Sequence, residues 1–157
     1  MNILLVSNND MCRSRMAQKI LSSFGHGIRI FTSGVLPGRV IPSSVVGVME
    51  QNGYDCSRKK ASDVDIYCHQ PWDYVITLCE EVKEVEGDFN KEVKNWKHFS
   101  FDDPFQHVYG DETELEYRIS ELYETMYCEL YEFYRDELSE QLLPRCTCGA
   151  NTYCRCE

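Results

Sequence analysis

A single α/β domain, with a four-stranded parallel sheet flanked by helices on both faces, is the fold class this sequence predicts. Three observations predict it. Short apolar runs alternate with stretches of helical periodicity along most of the chain. The first run, Ile3 to Val6, is continuous rather than alternating, as a strand covered on both faces must be. The chain has 157 residues, 43% hydrophobic and 27% charged, enough for one domain with a proper core. The domain is expected over residues 1–143, with 144–157 as a cysteine-rich tail outside it.

The elements follow in order. After the strand at Ile3 to Val6, Met16, Ala17, Ile20, Leu21 and Phe24 lie at helical spacing within Arg13 to Phe24, and Gly25 is placed to close that helix in a left-handed conformation. Arg29 to Ser33 reads as a second strand, ended by Gly34 and the Pro37-Gly38 turn. Pro42 to Gln51 begins with proline at a helix N-terminus and stops at Asn52-Gly53. A short helix is expected near Ala61 to Ile66, and a strong strand at Trp72 to Leu78. Glu80 to Lys94 reads equally as helix or loop. Lys97 to Phe101 is the expected fourth strand, broken at Asp102-Asp103-Pro104. One long helix then runs from about Glu112 to Leu143, its stripe formed by Leu115, Ile119, Leu122, Met126, Leu130 and Tyr134. Its other tyrosines, Tyr117, Tyr123, Tyr127 and Tyr131, read as packing residues with wet hydroxyls.

Charge and cysteine usage narrow the function. The net charge of −10 argues against a nucleic-acid partner. It is unevenly spread: Arg13, Arg15, Lys19, Arg29, Arg39, Arg58, Lys59 and Lys60 face only Asp10, Glu50 and Asp55 in the first 60 residues, a local +5 that suits a small anionic ligand. No apolar run is long enough to span a membrane, and the start of the chain does not read as a signal peptide, so a cytoplasmic location is expected. Nine cysteines, an odd number, do not suggest a disulfide framework. Four crowd the tail as Cys146, Cys148, Cys154 and Cys156. They could hold a zinc ion or a soft monovalent metal, or be reduced thiols of a loose tail. No other cofactor is expected. His26, His69, His98 and His107 show no ligand spacing.

The segment Ser7-Asn8-Asn9-Asp10-Met11-Cys12-Arg13-Ser14 joins the first strand to the first helix. A loop curled before a helix N-terminus presents unpaired backbone N–H groups and a partial positive charge, and can wrap a tetrahedral oxyanion. Arg13 would add a guanidinium fork matched to phosphate, arsenate or sulfate oxygens. In an open α/β sheet this loop lies at the carboxyl edge of the strands, where ligands bind.

This loop, with Arg15-Met16-Ala17 after it, resembles that of the low-molecular-weight protein tyrosine phosphatases, and more closely the thioredoxin-coupled arsenate reductases built on their fold. The family loop reads Cys-x-Gly-Asn-x-Cys-Arg-Ser. Thr32-Ser33-Gly34 is similar to the family's second-strand signature, and Tyr74-Val75-Ile76-Thr77-Leu78-Cys79 to the reductases' third strand with its redox cysteine. Trp96 to Pro104 is like the segment that carries the general acid, which maps to Asp103. The resemblance covers about residues 1–140. It implies the fold, an oxyanion cradle over Ser7, Asn8, Asn9, Asp10, Met11, Cys12 and Arg13, and a thioredoxin-like reductant as a possible partner.

The departures bear on activity. Ser7 stands at the nucleophile position, Asn9 at the loop glycine and Asp10 at the loop asparagine. A serine hydroxyl stays protonated at neutral pH, and no paired base is evident in the sequence. Asn9 is expected to make the glycine's turn, since asparagine tolerates positive φ. The Asp10 carboxylate is expected to repel an anion unless it turns outward or is protonated. The reading that follows is a family member without the standard nucleophile that retains an oxyanion loop. Two alternatives stand beside it: an active enzyme whose thiol is Cys12 or Cys79, and a metal- or redox-responsive protein acting through the tail.

Overall fold

Strand β1 (Asn2–Ser7) runs through the middle of an all-parallel sheet of order β2-β1-β3-β4, with β2 at Arg29–Gly34, β3 at Trp72–Thr77 and β4 at Val93–His98. The computed structural model describes residues 1–56, 60–106 and 110–142. The tail cysteines Cys146, Cys148, Cys154 and Cys156, together with His107, Arg58 and Lys59, lie outside the described residues. Chain order reverses direction across the sheet between β2 and β3, on either side of β1. The loop after β1 therefore opens at the topological switch point, where α/β sheets bind ligands.

The continuous apolar run of β1 has the expected cause. Ile3, Leu4, Leu5 and Val6 are each 0% exposed because both faces of the strand are covered. The coverage is unequal. Ile3, Leu5, Tyr74 and Ile76 meet the long helices α1 (Arg13–Phe24), α2 (Ser43–Gln51) and α3 (Glu112–Phe133). Met16, Ala17, Ile20 and Leu21 form the buried stripe of α1, each large side chain contributing about 1.5–3 kcal/mol on burial. On the opposite face Leu4, Val6 and Val75 meet Val64, Cys68, Val82 and Val85, carried largely by three short 3₁₀ turns at Val64–Ile66, Glu80–Val82 and Val85–Asp88. Edge-to-face packing of Trp72 on Phe31 and Tyr67 completes that side.

Several elements differ from expectation. The Glu80 to Lys94 stretch is two 3₁₀ turns leading into β4, which starts at Val93 rather than Lys97 and ends at His98. It is an edge strand with Lys94 and Asn95 exposed, so its sequence lacks the apolar signature. The apolar Phe99 and Phe101 lie beyond the strand, stacked with ring centroids 5.5 Å apart in the core. Gly25 does not adopt a left-handed conformation; its φ is −175°, and Gly27, at φ 86°, makes the turn instead. The final helix begins as expected, with the Asp111 side chain accepting from the Thr113 N–H at 2.9 Å. It widens into a π turn at Tyr134–Leu138 before the short α4 (Ser139–Leu142). Tyr127, Tyr131 and Tyr134 pack around Phe24, while Tyr117 is 63% exposed.

Candidate functional site

Residues Asn8 to Cys12 connect β1 to α1, and the end of β2 braces them. The N–H groups of Val35, Leu36 and Gly38 donate to the carbonyls of Ser7, Asn8 and Asn9 at 3.3, 2.8 and 2.9 Å. A Cβ at Gly34 would stand 2.8 Å from both the Asn9 carbonyl carbon and the Asp10 nitrogen. Glycine is therefore required where β2 approaches the loop, which gives the Thr32-Ser33-Gly34 signature a physical cause.

The sharp turn falls at Asp10, not Asn9. Asp10 has φ 52°, the one positive φ outside glycine among the described residues. This conformation sends its carboxylate away from the cleft and into the protein, where it is 0% exposed. Oδ1 accepts from the Ser14 hydroxyl at 2.7 Å, and Oδ2 accepts from Arg15 Nη2 and the Ser62 N–H, both at 2.9 Å. Arg15 Nε also donates to the Asp10 carbonyl at 3.0 Å. The repulsion expected of Asp10 is thus met by a fully buried ion pair. Burial lowers the pKa of the Arg15 guanidinium from its ordinary value, with Asp10 opposing that shift.

Arg15, which holds the buried Asp10 in the loop, is the residue here that sequence reasoning did not single out. Its only sequence signal is that an acidic residue inside an anion loop needs a buried cation.

Ser7 is 1% exposed and held from two sides. Its hydroxyl donates to Ser14 Oγ at 3.1 Å, and its oxygen accepts the Asp10 N–H at 3.1 Å. The loop therefore closes around that oxygen. Among the described residues the backbone N–H groups of Asn9, Met11, Cys12 and Arg13 find no protein acceptor, as expected of a loop leading into a helix N-terminus. Asn9, Met11, Cys12 and Arg13 line a cleft of about 160 Å³ together with Pro42, Asp103 and Phe105.

Arg13 is 4% exposed, and its Nη1 donates to the Phe101 carbonyl at 2.9 Å. Glu81 lies 3.8 Å from the same nitrogen. Asp103, expected as an acid, does reach the cleft. Its Oδ1 accepts the Phe105 N–H at 3.0 Å, and it also lines a larger groove of about 760 Å³ along α3. That groove carries Asp102, Glu114, Glu121 and Glu129 against Arg118.

The two thiols near the loop have different surroundings from Ser7. Cys12 is 5% exposed and packs in the core, its sulfur 3.7 Å from Met16 Sδ. Burial pushes its thiol up to about 12; Arg13 opposes the shift, while Asp103 and Cys56 add to it. Cys79 is fully buried, and burial raises it to about 11, with Arg13 and the Asn8 N–H opposing and Glu81 adding. The structure thus brings Ser7, Arg13, Asp103, Cys12 and Cys79 to one strand edge. His98 bridges Thr77 at 2.7 Å and Glu80 at 2.9 Å, and His69 lies 2.6 Å from Asn90. Among the described residues no cluster of His, Cys, Asp or Glu is arranged to hold a metal ion, and no helix is long and apolar enough to cross a membrane.

Residues 2–132 match the family model of the low molecular weight phosphotyrosine protein phosphatases. The chain is 30% identical over 78 residues to a glutaredoxin arsenate reductase of Synechocystis sp.; the match spans 49% of this chain and 59% of that protein's length. Among solved structures, the chain is similar to Vibrio vulnificus Wzb in complex with benzylphosphonate. The TM-score is 0.69 at 13% identity, covering 85% of this chain and 97% of the other. It is also similar to a cysteine-to-serine mutant of the arginine phosphatase YwlE with a phosphorylated active-site serine. Here the TM-score is 0.61 at 17% identity, covering 87% and 98%. At these identities the two structures speak to the fold.

Proposed function

The chain belongs to the low molecular weight phosphotyrosine protein phosphatase family, and from that premise we propose that it is an arsenate-reductase-like member whose loop binds a small oxyanion without thiolate catalysis. The observation that carries the reading is the loop itself. Among the described residues the N–H groups of Asn9, Met11, Cys12 and Arg13 have no protein acceptor, and these residues line a cleft with Asp103, while Ser7, a weak nucleophile unless a base assists it, stands where the resemblance puts the family cysteine. Arg13 supplies charge, and its Phe101 tether fixes the guanidinium. The Asp10 carboxylate, neutralised by Arg15, does not face the ligand. Phosphate, arsenate and sulfate share the tetrahedral shape this cradle fits, and the benzylphosphonate complex of Wzb is consistent with a ligand of that chemistry.

Calorimetric titration with phosphate, arsenate and sulfate tests the reading. Saturable binding that weakens in Arg13→Ala is the expected result. Absence of heat from all three at millimolar concentration contradicts it.

A second reading, a thiol-dependent arsenate reductase working through Cys79, draws on the Asn8 N–H directed at the Cys79 sulfur and on the nearby Arg13. Burial acts against it by holding the thiol protonated. Thioredoxin-dependent arsenate reduction that disappears in Cys79→Ala would favour this second reading over the first.

A further inference from the structure

Shape does not sort the tetrahedral oxyanions, but charge and hydrogen-bond donors do. Sulfate at neutral pH is a dianion whose oxygens can only accept. Phosphate and arsenate keep at least one proton there, so each brings a hydroxyl that can donate.

The described residues around the loop offset much of its positive charge. Asp10 and Arg15 cancel each other as a buried pair at 2.9 Å. Arg13 then stands against two carboxylates. Glu81 Oε2 lies 3.8 Å from Arg13 Nη1, and Asp103 lines the cleft of about 160 Å³ beside Arg13. Glu81 rides on the 3₁₀ turn that follows β3. Its own backbone N–H, the Cys79 thiol and Arg13 hold its carboxyl below the ordinary value, against the opposing pull of burial. Glu81 is therefore charged at neutral pH. Asp103 Oδ1 accepts the Phe105 N–H at 3.0 Å, which fixes the carboxylate, while Oδ2 has no donor among the described residues. A ligand hydroxyl would supply that donor. A sulfate oxygen in the same place brings only repulsion.

We propose that the loop selects oxyanions that carry their own hydroxyl, phosphate and arsenate, over fully deprotonated ones such as sulfate, with Asp103 and Glu81 setting the choice. The proposal rests on the oxyanion-binding reading above and names the class of ligand for that site. Asp103 Oδ2 accepts the ligand hydroxyl, so the carboxylate that the resemblance casts as an acid serves here as an acceptor. Glu81 acts through Arg13 and is a positioning residue. By offsetting the guanidinium it removes the surplus positive charge that would hold a dianion whatever its protons. The N–H groups of Asn9, Met11, Cys12 and Arg13 serve every tetrahedral oxyanion alike, and supply affinity rather than choice.

The test titrates the full chain calorimetrically at neutral pH and fixed ionic strength with phosphate, arsenate, sulfate and fluorophosphate. Fluorophosphate is a phosphorus oxyanion with no hydroxyl at that pH, so it separates the proton from the central atom. Phosphate and arsenate are expected to bind at least about tenfold more tightly than sulfate and fluorophosphate. Glu81→Gln should tighten sulfate binding several-fold and phosphate binding less. Asp103→Asn keeps an acceptor for the Phe105 N–H and adds a carboxamide donor, so it should close the gap between the two classes. A merely structural role would move all the ligands by one factor. Unfolding midpoints check that both variants fold.

Sulfate or fluorophosphate binding as tightly as phosphate to the parent chain overturns the proposal while sparing the oxyanion reading. Binding of none of the ligands overturns the two together. A phosphate preference unchanged by both substitutions would take the choice away from Asp103 and Glu81, and would also overturn it.

Discussion

Ser7 and Cys12 sit at opposite ends of one loop in opposite environments. Ser7 is surrounded by polar partners, a hydroxyl on one side and a backbone N–H on the other, with a carboxylate one further bond away. Cys12 packs against the core at the start of α1 while it also lines the cleft, and its sulfur meets the Met16 thioether. Cys79 resembles Cys12 more than Ser7, for it too is held protonated by burial. The difference teaches that the polar wiring of this loop converges on the oxygen at position 7. The sulfur atoms nearby are packing groups whose proton loss the fold opposes.

The largest effect on that comparison should come from the carboxylate. Asp10→Ala leaves Arg15 charged and buried without its partner, and should cost about 3–5 kcal/mol in denaturant unfolding. Asp10→Asn keeps most of the hydrogen bonds and should cost clearly less. If the two substitutions prove equal, the ion pair is not what holds the loop. Next comes Gly34→Ala, which drives a methyl into the backbone of Asn9 and Asp10. A loss of about 1–3 kcal/mol, with weakened phosphate binding, is expected. Arg13→Ala should reduce phosphate affinity by about 1.5–3 kcal/mol, the worth of a charged hydrogen bond, while leaving the unfolding midpoint nearly in place.

The smallest effect concerns the thiols. Cys12 and Cys79 are raised in the folded protein, so their contribution to stability is complete below about pH 9 and is lost as pH climbs through about 11 and 12. Stability measured from pH 8 upward should fall on that side, and Cys12→Ala with Cys79→Ala should flatten the decline. Native-state alkylation at neutral pH should likewise spare both thiols until the protein opens.

The parallel sheet, the first helix and the loop were legible because each leaves a strong local mark: a continuous apolar run, a 3.6-residue stripe and a cysteine-arginine-serine pattern between strand and helix. What was not legible depended on contacts distant in sequence. β4 is an edge strand whose polar residues hide its period, so its start at Val93 was missed. Nothing local distinguishes Gly25 from Gly27 as the residue that turns. The burial of Arg15 against Asp10 needs Ser62 and the Lys60 carbonyl, both far along the chain, to complete the pocket. The hydrogen-bonded path from Ser7 was likewise invisible, because it runs through a hydroxyl seven residues on and back to a carboxylate that sequence alone casts as an intruder.

The measurement that tests the central claim most directly is the titration of the Ser7→Cys thiol by its thiolate absorbance. An intact cradle places that sulfur against the Asp10 N–H and at the start of α1, so it should ionise well below the ordinary thiol value of about 8.5, far from Cys12 and Cys79 in the same molecule. A thiol at position 7 that titrates at or above that value would contradict the account, for the loop would then have lost the field that binds an oxyanion.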